Sequence, residues 1–271
     1  MDNNTIQKTN FPNIKNIIIV ASGKGGVGKS TVAAGLAVSL AMEGYATGLL
    51  DADIYGPSAP ALFGLKKEMP YVEEKDGKTY MIPFINFGVK VMSIGFFLEQ
   101  NEAVIWRGPR ASTGLSQLLK ETSWGELDYL IIDTPPGTGD VHITLLQNFM
   151  PTGVIVVTTP QDIALSDVKK AINMYKNDQI GIPVLGIVEN MSWFSPTQHP
   201  DEKYYIFGQG GGEKLAKEFN VQLLAHIPMN EQICESCDAG KLNGLFKDPI
   251  LKSAYEQLTN KLISSCSKLK P

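Results

Sequence analysis

The chain alternates short unbroken apolar runs with stretches in which apolar residues return every three or four positions, and the two periods predict different elements. Unbroken runs occur at Ile17-Ile18-Ile19-Val20, Tyr129-Leu130-Ile131-Ile132, Val154-Ile155-Val156-Val157, Val184-Leu185-Gly186-Ile187-Val188 and Leu223-Leu224. None has a polar face, so each predicts a strand covered on both sides, as a parallel sheet requires. A further strand is expected to end at Asp51. Between the strands, Val32, Leu36 and Leu40 mark the buried face of a helix that Gly44 stops. Helical spacing predicts more helices over 111–121, 140–149, 163–177, 210–219 and 249–266. Strands alternating with helices predict an α/β fold in three layers: a doubly wound, mostly parallel sheet with helices on both faces.

Two regions break the rhythm. Residues 66–90 carry Lys66-Lys67-Glu68 and Glu73-Glu74-Lys75-Asp76-Gly77-Lys78, which predicts a solvated excursion with a hairpin turn at Asp76-Gly77. Residues 192–209, with Pro196, Pro200 and Tyr204-Tyr205-Ile206-Phe207, predict a loop too long to be a mere connection. One domain is expected over 15–271, preceded by a flexible leader over 1–14.

Composition narrows the class. Hydrophobic residues make up 43% of the 271 and charged residues 19%, and no apolar run approaches the roughly 20 residues of a membrane span. With no signal pattern at the N-terminus, the expected setting is the cytoplasm. A net charge of −4 carries no general footprint for nucleic acid, and neither nucleic acid nor membrane is an expected partner. Three cysteines, Cys234, Cys237 and Cys266, argue against a disulfide scaffold.

The chemistry is concentrated after the first apolar run, where Gly23-Lys24-Gly25-Gly26-Val27-Gly28-Lys29-Ser30-Thr31 links a strand to a helix. In a G-x-x-x-x-G-K-[ST] loop, glycines turn backbone N–H groups onto phosphate oxygens, the lysine reaches the β- and γ-phosphates, and the hydroxyl ligates Mg²⁺. Lys29 and Ser30 take those places. Lys24 is an extra lysine, and with it the loop resembles the deviant Walker A loop of the MinD, ParA and nitrogenase-iron-protein class. That resemblance implies a P-loop NTPase fold and a lysine that crosses a dimer interface to the partner's nucleotide.

Ligands of a parallel sheet gather at the carboxyl ends of its strands, so Asp51, Asp53 and Asp133 are expected beside the loop. Asp133, ending Leu130-Ile131-Ile132-Asp133, is placed to hold Mg²⁺ through water, and Gly137 to approach the γ-phosphate. Asp53 is placed to accept a hydrogen bond from an attacking water; a carboxylate that caps a turn is its other reading.

Seven strings then occur in one order: the loop with its preceding Ala21-Ser22, Asp51-Ala52-Asp53-Ile54-Tyr55-Gly56-Pro57-Ser58, Trp106-Arg107-Gly108-Pro109, Asp133-Thr134-Pro135-Pro136-Gly137-Thr138-Gly139-Asp140, Thr159-Pro160-Gln161, Glu189-Asn190-Met191-Ser192 and Ile206-Phe207-Gly208. Together they resemble the Mrp/ApbC family of iron–sulfur cluster carriers across roughly residues 15 to 245. The resemblance implies a homodimeric ATPase that binds an iron–sulfur cluster and transfers it to apoproteins; a carrier that uses its nucleotide as a conformational switch is expected to hydrolyse ATP slowly and with Mg²⁺. The resemblance makes Lys24 the lysine acting in trans, Asp53 and Asp133 the switch carboxylates, and Asn190 the reader of the adenine edge. A strand-end cap is the other reading of Asn190.

The sequence also departs from that family. Its usual C-x-x-C after Asn-Met-Ser is here Ser195-Pro196-Thr197-Gln198, which offers no thiolate, and no counterpart of its small N-terminal domain is expected within these residues. Another C-x-x-C stands at Cys234-Glu235-Ser236-Cys237. Thiols at i and i+3 of a helix share a face, which permits ligation; small buried hydrophobes are the other reading. His142, His199 and His226 are scattered and read as surface or core packing. A positioning ATPase of the MinD/ParA kind, working on membrane or DNA, is the competing function.

Overall fold

The computed structural model describes residues 11–98, 109–139, 146, 149–178, 180–196, 198–199 and 201–269. Ten strands are seen among them: β1 (Ile17–Ser22), β2 (Thr47–Asp51), β3 (Val72–Lys75), β4 (Lys78–Met81), β5 (Phe84–Asn86), β6 (Val89–Ser93), β7 (Tyr129–Asp133), β8 (Gly153–Thr158), β9 (Val184–Phe194) and β10 (Leu223–Met229). The helices are α1 (Lys29–Met42), α2 (Ala59–Leu62), α3 (Pro109–Glu121), α4 (Asp162–Lys176), α5 (Gly211–Phe219), α6 (Glu231–Asp238) and α7 (Pro249–Leu269). The Trp106-Arg107-Gly108 string, His142, residues 1–10 of the leader, and all of the expected helix over 140–149 except Leu146 and Phe149, lie outside the described residues.

Eight strands form one sheet in the order β10-β9-β8-β1-β7-β2-β6-β5, parallel throughout except for the antiparallel β5–β6 pair. Every residue of β1, β2, β7 and β8 is buried, which is why these runs carry no polar period. From β1 the chain crosses to β2 on one side, and later passes through β8, β9 and β10 on the other. The order therefore reverses beside β1, where an open α/β sheet leaves a crevice. Register fixes what lines it: Asp133 pairs with Val20 on one side and Asp51 on the other, and Asp51 pairs with Ser93.

Three expectations change. Helix α1 is buried continuously from Val32 to Leu40 rather than along one stripe. It lies between the sheet and α7, whose Tyr255 ring fills the space over Gly35; a Cβ there would stand 2.4 Å from the ring. The excursion over 66–90 is shorter than its charges suggest. Asp76 and Gly77 do turn the β3–β4 hairpin, both with positive φ (53° and 72°), but β5 and β6 return to the main sheet with Val89, Val91 and Met92 fully buried. Lys90 disguises β6: its ammonium leaves the strand to meet the Trp124 carbonyl. Finally, Asn190 lies within β9, which runs on to Phe194, and a backbone pair between Phe194 and Tyr204 closes the loop beyond it.

Candidate phosphate-binding site

The loop between β1 and α1 is shaped by contacts that only glycine permits at two points. Gly23 packs on the backbone of α4, where a Cβ would lie 2.4 Å from the Asp167 carbonyl carbon. Gly28 caps α1 in the left-handed region (φ 78°), and a Cβ there would lie 2.2 Å from Nδ2 of Asn190. The loop lines a cavity of about 240 Å³ together with Asp53, Ser58, Leu62 and Pro136. Two larger hollows, about 430 and 400 Å³, lie elsewhere, and their charged residues are all exposed. Chemistry rather than volume singles out the smaller one.

Lys29 is its centre. Only 6% exposed, it places Nζ 2.5 Å from Oδ1 of Asp133, 3.5 Å from Oδ2 of Asp53 and 3.3 Å from the Ser30 hydroxyl. Burial pushes the Asp133 carboxyl above its usual range, while the Lys29 ammonium and the Ser30 hydroxyl pull it back. Next to it, burial and the neighbouring Asp133 push Asp51 up to about 7, against the hydrogen bonds that favour its ionised form. Asp53 also accepts from the Tyr55 N–H two residues on at 3.2 Å, the contact of a turn-capping carboxylate. Two buried carboxylates, Asp133 and Asp53, face the one buried ammonium and leave oxygen lone pairs at the crevice. With the Ser30 hydroxyl, that donor set suits a hard cation such as Mg²⁺.

Lys24 stands apart from this network. It is half-buried, its carbonyl accepts from the Ser22 hydroxyl at 2.9 Å, and its Nζ reaches Oε1 of Gln161 at 3.5 Å. Asn190 is joined to the loop: its Nδ2 donates to the Val27 carbonyl at 2.8 Å, leaving Oδ1 and one N–H for another partner.

A cluster that the sequence did not announce adjoins Asn190. Buried Glu189 accepts from Gly212 N–H at 2.5 Å, and its Oε1 lies 3.0 Å from Nδ1 of His226; Ser192 and Glu213 complete the surroundings of the imidazole. Burial works to raise the Glu189 carboxyl, but its bonds to His226 and Gly212 outweigh that and hold it below its ordinary value. The bond to Glu189 raises His226 in turn. The two residues are partners in the β9–β10 register, a signal that appears only once the strands are paired. His226 is thus partly exposed and paired, a contact that its isolated place in the sequence does not show.

Cys234 and Cys237 lie on α6, whose N-cap Asn230 accepts from Gln232 N–H. Cys234 is exposed and Cys237 half-buried against Thr31. Burial pushes the Cys237 thiol up to about 11, and the Asp238 carboxylate raises Cys234. Among the described residues, no three His, Cys, Asp or Glu side chains are grouped so as to hold a metal ion, and no helix is long and apolar enough to cross a membrane.

A doubly wound parallel sheet with a glycine loop, a buried lysine and two facing carboxylates at its switch point defines a P-loop NTPase. More narrowly, the chain belongs to the ParA family of NUBPL iron-transfer P-loop NTPases, whose model matches residues 13–263. An iron–sulfur cluster carrier protein of Aquifex aeolicus is 51% identical over 232 residues, 85% of this chain. The chain spans only about three fifths (62%) of that relative's length. A nucleotide-binding protein of Archaeoglobus fulgidus, solved in complex with ADP, is 39% identical with a TM-score of 0.77, covering 90% of this chain and 93% of its own. The cell-division ATPase MinD of Pyrococcus furiosus superposes with a TM-score of 0.64 at 22% identity, covering 92% of this chain and 99% of its own, a likeness of fold alone.

Proposed function

We propose that this chain is an iron–sulfur cluster carrier or scaffold that binds and slowly hydrolyses ATP with Mg²⁺, works as a homodimer in the cytoplasm and delivers its cluster to apoproteins. The observation that carries the nucleotide half is the buried Lys29 ammonium held between Asp133 and Asp53 beneath the glycine loop. The cargo half rests on family membership and on the name borne by the Aquifex relative.

In this reading Gly23, Gly25, Gly26, Val27 and Gly28 present backbone N–H groups to the phosphates, with Thr31 at the foot of α1 beside them. Lys29 leaves Asp133 for the β- and γ-phosphate oxygens. Ser30 ligates Mg²⁺, which brings the positive charge that the carboxylates lack. Asp133 holds the ion through water, and Asp53 accepts from the attacking water. Lys24 reaches the nucleotide of the second protomer. Asn190 offers Oδ1 to the adenine amine and its free N–H to N7.

Anoxic reconstitution with iron and sulfide, followed by transfer to an apo iron–sulfur enzyme, tests the reading. Visible absorption on the carrier and recovered activity in the acceptor, both altered by Mg-ATP, are the expected result. A protein that hydrolyses ATP yet neither holds nor passes iron under any nucleotide would refute the cargo half.

A further inference from the structure

Asp51 has no part in the chemistry above, yet its carboxylate is the most heavily bonded group at the crevice. It is fully buried, and it accepts from Asp53 N–H at 3.1 Å on Oδ1 and from Ser58 N–H (2.9 Å), Ala59 N–H (2.9 Å) and the Ser93 hydroxyl (3.0 Å) on Oδ2. Four donors on two oxygens commit the carboxylate to the protein itself. The pattern is that of an anchor rather than a ligand.

What it anchors is the segment that faces the cavity. Three of the four donors are backbone amides at the two ends of residues 53–59, which carry Asp53, Gly56 and Ser58 to the cavity wall. The fourth comes from the neighbouring strand β6. Ser93 in turn accepts from Gly95 N–H at 2.9 Å, and Gly95 packs so closely on Pro57 that a Cβ would lie 2.8 Å from the proline Cβ. The segment is therefore held at both ends by one carboxylate and in its middle by the turn that follows β6.

We propose that Asp51, together with Ser93, is a positioning residue for ATP hydrolysis: it fixes the 53–59 backbone so that Asp53 stands 3.5 Å from the Lys29 ammonium and faces the phosphates. The proposal rests on the ATPase reading. Hydrolysis depends on Asp53 holding its water within hydrogen-bond reach and in line, and a small misplacement of such a group costs on the order of 100-fold in rate. Nucleotide affinity comes mainly from the glycine loop and Lys29, which Asp51 does not touch. The clamp thus acts on turnover and leaves binding alone.

The test combines Ser93→Ala, Ser93→Thr and Asp51→Asn, read by hydrogen–deuterium exchange at amides 53–59 of the nucleotide-free protein, by ADP affinity, and by kcat and KM for Mg-ATP. Ser93→Ala removes one bond to a buried carboxylate and is expected to speed exchange about tenfold. It should lower kcat by about as much, with KM and ADP affinity within about twofold; Ser93→Thr, which keeps the hydroxyl, should restore both readings. Asp51→Asn should act in the same direction and more strongly, with a further fall in kcat of roughly tenfold. Unchanged exchange in Ser93→Ala and Asp51→Asn overturns the clamp, whether or not the protein turns over ATP. Faster exchange with unchanged kcat reduces Asp51 to a structural role, and a loss of ADP affinity that additional Mg²⁺ reverses makes it a cation ligand; either overturns the proposal. A parent protein that binds ADP but hydrolyses no ATP sinks the proposed function instead, and the exchange measurement still decides the clamp.

Discussion

Two chemically promising groups lie side by side in this molecule and are built in opposite ways. Around Lys29, charged side chains are buried and each is answered by a partner: ammonium by carboxylates, carboxylates by amides and hydroxyls. On α6, where Cys237 lies against Thr31, Cys234 is exposed, Cys237 is half-buried, and both surroundings favour the protonated thiol. The first group is shaped in advance for its ligand. The second would have to lose protons to bind a soft metal, so any metal there competes against its own environment. The phosphate site is thus prepared within one chain, whereas Cys234 and Cys237 are not prepared for a metal.

The largest blow to the first group is Lys29→Ala. It removes the charge that meets the phosphates and leaves buried Asp133 unpaired, so ADP affinity should fall by at least about 100-fold. Stability should drop by about 3 kcal/mol. Calorimetric titration and denaturant unfolding read the two effects; ADP binding as tight as in the parent would show that the pocket lies elsewhere.

Next come Lys24→Ala and Asp53→Asn, which should suppress hydrolysis roughly 100-fold with ADP affinity kept within about threefold. Mixing the two variants separates their roles, since some heterodimers then assemble one intact site. If heterodimers form and no activity returns, Lys24 does not act in trans.

Gly28→Ala forces a left-handed position and drives a methyl into Asn190, so ADP affinity should fall about tenfold, measurable by titration. The second group predicts almost nothing of that kind. Cys234→Ser with Cys237→Ser should leave ATP turnover within about twofold, and the parent should reconstitute only a weak, substoichiometric cluster. A stoichiometric, chelator-resistant cluster lost in the double variant would mean that the contrast drawn above is wrong.

The smallest effect concerns the Glu189–His226 pair. A carboxyl held below its ordinary 4.5 stabilises the fold above that value and loses its contribution as pH falls through the lower folded value. An imidazole raised above 6.5 stabilises fully below that pH and loses its contribution as pH rises through the higher folded value. The pair therefore supports the fold best between about pH 4.5 and 6.5. His226→Gln should flatten the fall in melting temperature from pH 6 to 8 by about 1–2 °C. An unchanged slope would show that the pair contributes nothing.

The strands buried on both faces, the phosphate loop and the acids ending β2 and β7 were legible because each is a local pattern with one physical meaning. What escaped the sequence depends on pairing. Strand β6 was hidden by Lys90, whose charge reads as solvated until Trp124 is seen to receive it. The continuous burial of α1 follows from α7 closing over it, a contact more than 200 residues away in sequence, with Thr259 bonded to Ser39. Glu189 and His226 needed the β9–β10 register, and Asp51 needed the fold of the loop it anchors. Its D-x-D string marks an acid at a strand end, and says nothing about which way the acid faces.

The bond from Asn190 to the Val27 carbonyl has a further consequence. It fastens β9, which in the proposed function reads the base, to the loop proposed to grip the phosphates, across the width of β8. A nucleotide then meets both halves already held at one spacing, so base and phosphate act as linked fragments whose second contact is made at high effective concentration. Adenosine and pyrophosphate offered separately meet each half alone and gain nothing from that spacing. Under the proposed function the whole nucleotide then binds more tightly than its pieces together, and losing this one hydrogen bond would shrink that advantage.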